Sequence, residues 1–251
     1  MNEIISKKTI IIVGVIIVVL LSITITLKYL FVNNTRYILL DDNIIEYNNN
    51  TIKKANINDV IDLRFRIIYN DEYFGNNTLN GVDDTTSRLL FKNKDGINSL
   101  KTPLLGLDEN TELIDFKEED LNEEEFNLYK GMVNGDVNYK LSDLTIGSKA
   151  TIDVNGKKVY VYTVLYEGKT ASDDHSMLFV SSGKNVYMLD EDYPQEDYGG
   201  YVFYTFETKY VLDINKDGKY ELVVAKNHYD VTDYSIYELD GKFRELYYTG
   251  E

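Results

Sequence analysis

The chain has no cysteine, no tryptophan, two prolines and two histidines in 251 residues. Without cysteine there can be no disulfide, no thiol nucleophile, no zinc–thiolate site and no lipidated N-terminal cysteine. Cationic charge is also short. Asp and Glu number 42 against 26 Lys and Arg, a formal net charge of −16. A nucleic-acid partner needs a basic face that displaces counterions from phosphates, and this balance argues against one. No G-x-S-x-G elbow, phosphate loop, Rossmann glycine pattern or H-E-x-x-H occurs in the sequence. The usual marks of a serine nucleophile, a nucleotide site and a zinc protease are therefore missing.

One stretch lacks charge altogether. Thr9 to Leu27 reads TIIIVGVIIVVLLSITITL. As a helix these residues span about 28 Å, close to the hydrocarbon thickness of a bilayer. Lys7 and Lys8 precede the run, and Lys28 and Arg36 follow it. It is longer than the apolar core of a cleaved signal peptide, and nothing like an A-x-A site follows. A buried core helix with so long a β-branched run would be unusual. The sequence predicts a cytoplasmic tail at 1–8 and a signal-anchor transmembrane helix at 9–32, with the lipid bilayer as its partner. Cations crowded into the short leading segment place the N-terminus inside and the C-terminal region outside the cytoplasm. Only one acid, Glu3, precedes residue 33. The acid excess thus falls on the exposed body, which anionic lipid repels as a whole.

The stretch that carries chemistry is Asp213-Ile214-Asn215-Lys216-Asp217-Gly218-Lys219-Tyr220-Glu221, followed at once by Leu222-Val223-Val224-Ala225. Side-chain oxygens stand at positions 1, 3, 5 and 9. That alternation lets a short backbone wrap one hard cation, with oxygens at about 2.3–2.6 Å. Gly218 supplies the sharp turn, and Lys219 can offer only its carbonyl. An EF-hand would need a bidentate Glu at position 12, where Val224 stands, and helices on both sides. Here the flanks, Tyr201 to Phe206 and Tyr220 to Ala225, are aromatic and β-branched and read as strands. Asn-Lys-Asp-Gly by itself is also an ordinary hairpin turn, which needs neither Asp213 nor Glu221.

An acid at position 9 between two strands resembles the calcium loop of FG-GAP/VCBS repeats, over residues 201–248. The resemblance implies a structural Ca2+ held by the side chains of Asp213, Asn215, Asp217 and Glu221 and by the carbonyl of Lys219. Asn93-Lys94-Asp95-Gly96 repeats the core of the motif, but Phe91 and Ser99 replace the two outer carboxylates. It reads as a plain turn.

For the fold, the sequence predicts a mainly β, α+β region of antiparallel sheets, arranged as a sandwich or a partial propeller. An α+β part is expected at 33–140 and a β-rich part with the calcium loop at 141–251. Residues 36–47 read as a hairpin, and Asn58 is placed as the cap of a short helix through Leu63. The span from Gly75 to Gly81 is read as an exposed loop. A helix runs from Glu123 to about Met132, with Asn122 as N-cap, Glu125 closing a capping box, and Leu121 and Phe126 as the staple. Asn155-Gly156 predicts a type I′ hairpin. Its second strand, Lys158 to Tyr166, has no polar face, so both faces are expected to be covered.

His175 and His228 bring no marked nucleophile with them. A Ser172–Asp173–Asp174–His175 grouping lacks any positioning motif, and the acidic segment around Pro194 lacks alternation. No catalytic residue is therefore assigned. The sequence predicts a non-catalytic binding or envelope-accessory module with a protein or glycan ligand at the cell surface, since tyrosine-rich surface suits recognition. The alternative expectation is an extracytoplasmic hydrolase of cell-wall polymers using paired carboxylates.

Overall fold

A computed structural model describes residues 35–48, 51–69, 72–83, 85–100, 104–133, 139–170, 173–194 and 204–250. The transmembrane helix expected at 9–32 lies outside them. No helix among the described residues is long and apolar enough to cross a membrane.

The described chain is mainly β, in three antiparallel sheets with one α-helix. The first sheet has eight strands. Their order is β3 (Thr51–Lys54), β2 (Asn43–Asn48), β1 (Arg36–Leu40), β8 (Leu104–Leu107), β4 (Arg64–Tyr69), β5 (Glu72–Val82), β6 (Leu89–Asn93) and β7 (Gly96–Ser99). The second sheet runs β9 (Glu112–Ile114), β15 (Thr205–Asp213), β16 (Glu221–Asn227), β17 (Thr232–Glu238) and β18 (Glu245–Tyr248). In the third the order is β10 (Lys117–Asp120), β11 (Ile146–Val154), β12 (Lys157–Tyr166), β13 (His175–Ser182) and β14 (Asn185–Asp192). The chain passes from the first sheet to the other two between Leu107 and Glu112, because β9 pairs with β15 and β10 with β11.

The second sheet is the middle layer, and strand alternation explains why. From it, Leu212, Val223, Ala225 and Ile236 pack on Ile38, Leu40, Ile45 and Leu105 of the first sheet. Their neighbours Val211, Leu222, Val224 and Tyr237 point the other way, onto Ile152, Val161, Leu178 and Val180 of the third. Both faces of β12 are covered. Val159 and Val161 meet the middle sheet, while Tyr162 and Val164 meet the helix α1 (Glu123–Met132) through Phe126 and Tyr129. The opposite face of the first sheet closes on itself around Leu39, Phe65, Ile67, Leu79 and Phe91.

The hairpin of β1 and β2 turns at Asp41, which adopts a left-handed φ of 52°. Asn155 and Gly156 both have positive φ, 53° and 80°, as a type I′ turn between β11 and β12 requires. In α1, Asn122 accepts from the backbone N–H groups of Glu124 and Glu125, and the Glu125 carboxylate accepts from the Asn122 N–H. Glu125 also pairs with Lys149 at 2.6 Å, which ties the helix start to β11. Leu121 and Phe126 are buried together. We expect Asn122→Ala to cost about 1 kcal/mol, a fall of roughly 2–4 °C in Tm for a chain of this size. Thermal melting of the full chain checks it.

Two local expectations are corrected. Asn58 does not cap an α-helix. Instead Asn56 accepts from the Asn58 N–H at 2.9 Å and starts a single 3-10 turn at Ile57–Asp59. The span from Gly75 to Gly81 is not a loop. It is the body of β5, with Asn76 and Thr78 paired to β4 and Leu79 paired to Phe91 of β6. Its polar residues fill a strand because backbone pairing on both sides outweighs their low β-propensity. Gly75 and Gly81, at φ 113° and 143°, sit beside the two register shifts that bend it. Asn93–Gly96 is the β6–β7 turn, where Asn93 accepts from the Asp95 N–H at 2.8 Å.

Candidate metal site

The loop from Asp213 to Glu221 joins β15 to β16 in the middle sheet. Its first and last acids fall at the ends of paired core strands, so their backbone positions are fixed by the ladder. Asp213 is the last residue of β15 and Glu221 the first of β16, and both are buried, at 6% and 4% exposure. Ile214 is fully buried between them. Asn215 is half-buried and Asp217 exposed.

The side-chain oxygens line the inside of the turn. Asp213 accepts from the N–H of Asp217 through Oδ1 and from that of Gly218 through Oδ2, both at 3.0 Å. Asn215 Oδ1 also accepts from Asp217 N–H, at 3.1 Å, and Asp217 Oδ1 accepts from Lys219 N–H at 2.9 Å. Lys216 and Gly218 take positive φ, 55° and 79°, so the backbone doubles back within the loop. Glu221 Oε2 accepts from the Ile214 N–H at 3.3 Å. Asp213, Asn215, Asp217 and Glu221 are thus gathered on one turn, together with Lys219. Among the described residues, however, no three carboxylate or imidazole groups converge as a ready metal-holding set. In this loop the reason is visible: the oxygens are turned onto backbone donors.

Glu221 is the anomaly. Its cross-strand partner is another acid, Glu238, whose charge is met by Arg244 at 2.8 Å. No ion pair among the described residues reaches Glu221, Asp213 or Asp217. Burial, and then the charges of Asp213, Asp217 and Glu238, push the Glu221 carboxyl up to about 8, against the pull of the Ile214 N–H. Asp213, Asp217 and Glu238 thus all bear electrostatically on the buried Glu221, and of the four acids only Glu238 has an ion-pair partner among the described residues. Carboxylate and amide oxygens are the ligand type a hard divalent cation takes, and here those of Asp213, Asn215 and Asp217 are engaged by backbone N–H groups.

Three further residues hold the loop, and each is distant in sequence. Tyr47, from β2 of the first sheet, brings its hydroxyl within 3.4 Å of Asn215 Nδ2. Burial and the neighbouring loop acids, Glu221 foremost, push that phenol far up. Buried Thr111 donates from Oγ1 to the Ile214 carbonyl at 3.1 Å. Asn155, from the hairpin tip of the third sheet, donates from Nδ2 to the Gly218 carbonyl at 2.7 Å. The loop therefore stands where all three sheets meet. Nothing in the sequence links these three residues to the loop, because only the tertiary fold brings them near.

The other sequence candidates go elsewhere. His175 is buried, and its Nδ1 lies 2.9 Å from the Tyr129 hydroxyl, with no carboxylate paired to it among the described residues. Desolvation lowers its pKa to about 4. Asp173 accepts from Thr170, Asp174 accepts from the Gly168 N–H, and Ser172 lies outside the described residues. Of the acids near Pro194, Asp190 pairs with Lys226 at 2.6 Å, while 195–203 lies outside the description. Compared with known proteins, the chain matches no family model, no curated protein and no solved structure.

Proposed function

We propose that the chain is a single-pass membrane protein, anchored by residues 9–32, whose exposed body is a non-catalytic binding or envelope-accessory module clamped by one structural calcium ion. The buried Glu221, which no ion pair among the described residues reaches, carries the metal part of this reading together with Asp213 and Asp217. A divalent cation would let Glu221 ionise and would relieve the repulsion among the four acids. Asp213, Asn215, Asp217, Glu221 and the carbonyl of Lys219 would hold it. Because Tyr47, Thr111 and Asn155 reach the loop from three directions, the ion would stiffen the junction of the three layers. Extracellular calcium is plentiful enough to fill a weak site, with Kd on the order of 10⁻⁴–10⁻³ M.

The uncharged run supports the anchor, and the cations before it support an extracytoplasmic body. Exposed Tyr73, Tyr187 and Tyr229 supply aromatic surface for a protein or glycan ligand.

Two measurements test the reading. Full-length protein in nonionic detergent should melt several degrees lower in EDTA than in millimolar calcium, and Asp217→Ala should abolish the difference. An unmoved melting curve would end the metal claim. Protease added to intact cells should degrade the body, and a protected C-terminus would overturn the orientation.

A further inference from the structure

The chain has five arginines, and three of them, Arg36, Arg64 and Arg66, line one cavity of about 390 Å³. Register explains how they meet. Ile38 of β1 and Arg66 of β4 both pair with Leu107 of β8, so the three share one face. Arg36 and Arg64 lie two residues earlier on the same two strands and so project on that face too. It is the face that packs on the middle sheet further along, and here that cover has ended.

Neither Arg64 nor Arg66 forms an ion pair among the described residues. Among the described residues Arg66 is fixed through Nη2, to the Thr111 carbonyl at 3.4 Å. Its Nε is buried in the fold with no hydrogen-bond partner among the described residues. Two acids also line the cavity. Asp108 has both oxygens taken, by the N–H groups of Tyr37 and Asn110 and by the Thr111 hydroxyl. Glu109 is exposed. In a chain with a large excess of acid, gathered guanidinium groups with an unmet buried donor call for an anion. Planar guanidinium suits phosphate, which it can engage with two parallel N–H bonds.

The cavity also has a place relative to the membrane. Thr35 and Arg36, at the start of the described chain, form part of its lining. Seven residues, 28–34, separate Thr35 from Leu27, the end of the apolar run, and the eight steps between them span at most about 28 Å when extended. Resting on the proposed anchor, this keeps the cavity within reach of the bilayer surface.

We propose that Arg36, Arg64 and Arg66 bind the phosphate of an anionic phospholipid headgroup in the leaflet that faces the body. The acidic body would otherwise be repelled by that surface. One basic pocket near the tether would hold a chosen end of it downward.

Native mass spectrometry of full-length protein from nonionic detergent tests this, with dihexanoyl-phosphatidylglycerol, dihexanoyl-phosphatidylcholine and inorganic phosphate as probes. Wild type should retain the glycerol lipid at least about tenfold better than the choline lipid. Arg64→Gln, at an exposed position, and Arg66→Gln should each remove most of that preference. Arg66→Lys, which keeps the charge but not the fork, should restore it only in part. Equal retention by wild type and Arg64→Gln would overturn the site. Inorganic phosphate displacing the lipid at equal concentration would overturn the lipid as its source. Flotation on vesicles of phosphatidylcholine alone reads the anchor separately. Wild type and both glutamine variants should float alike, and failure of all three would sink the tether and the lipid source with it.

Discussion

In EDTA, raising the pH from 6.5 to 8.5 is expected to lower the Tm of the wild-type chain by several degrees, while Glu221→Gln stays nearly level. The sign follows from the direction of the shift. Glu221 is pushed from its ordinary 4.5 up to about 8 in the fold. Between those values the folded state holds a proton that the unfolded chain has lost. Stability is then lost as pH rises, by about 1.4 kcal/mol per unit until the folded group ionises. From pH 6.5 to about 8 the loss is on the order of 2 kcal/mol, or roughly 4–8 °C for a chain of this length. The window matters because of His175. Its pKa is lowered to about 4, so its contribution is complete above 6.5 and is lost only as pH falls. Above 6.5 it is silent. Calcium at a hundred times Kd should return about 2.7 kcal/mol and flatten the wild-type profile. Parallel profiles for wild type and Glu221→Gln would refute this account of the loop.

The second large effect is expected away from the loop. Lys226 of β16 is buried, its side chain 8% exposed, and its ammonium lies 2.6 Å from Asp190 of β14 and 3.5 Å from Glu245. It also stands over the rings of Tyr248 and Tyr204, at 4.6 and 5.4 Å. Asp190 in turn accepts from the Tyr204 and Tyr237 hydroxyls. This network ties the middle sheet to the edge of the third. Lys226→Met should cost about 3–5 kcal/mol, because it leaves Asp190 half-buried without its cation. The double change Lys226→Met with Asp190→Leu should recover much of the loss, since a desolvated ion pair adds little over well-packed apolar groups. Melting curves of the single and double variants decide this. A single variant within about 1 kcal/mol of wild type would show that water reaches the pair.

Much of this fold is legible in short sequence signals. Asn155-Gly156 marks a I′ turn because few other pairs accept two positive φ values, and the turn is there. The Asn122–Glu125 capping box and the Leu121–Phe126 staple fix the start of α1 for equally local reasons. The doubly apolar strand at 158–166 points to a buried layer, and β12 has cover on both faces. What stays hidden is whatever long-range pairing decides. Residues 75–81 carry turn-forming composition, yet β4 and β6 recruit them as a strand. The same holds for the loop. Its own acids stand out in the sequence, whereas Tyr47, Thr111 and Asn155 come from three other parts of the chain. Nor does any local pattern say that Glu238 will stand opposite Glu221, and that juxtaposition helps to make Glu221 anomalous.

The most direct test is calorimetric titration of calcium into the full-length protein at pH 7, in two buffers of different ionisation enthalpy. The loop as described predicts one ion per chain and release of most of one proton, because Glu221 with a pKa of about 8 must ionise to serve as a ligand. Glu221→Gln should bind more weakly and release none. Binding without proton release, or no binding heat at millimolar calcium in either buffer, would contradict the account.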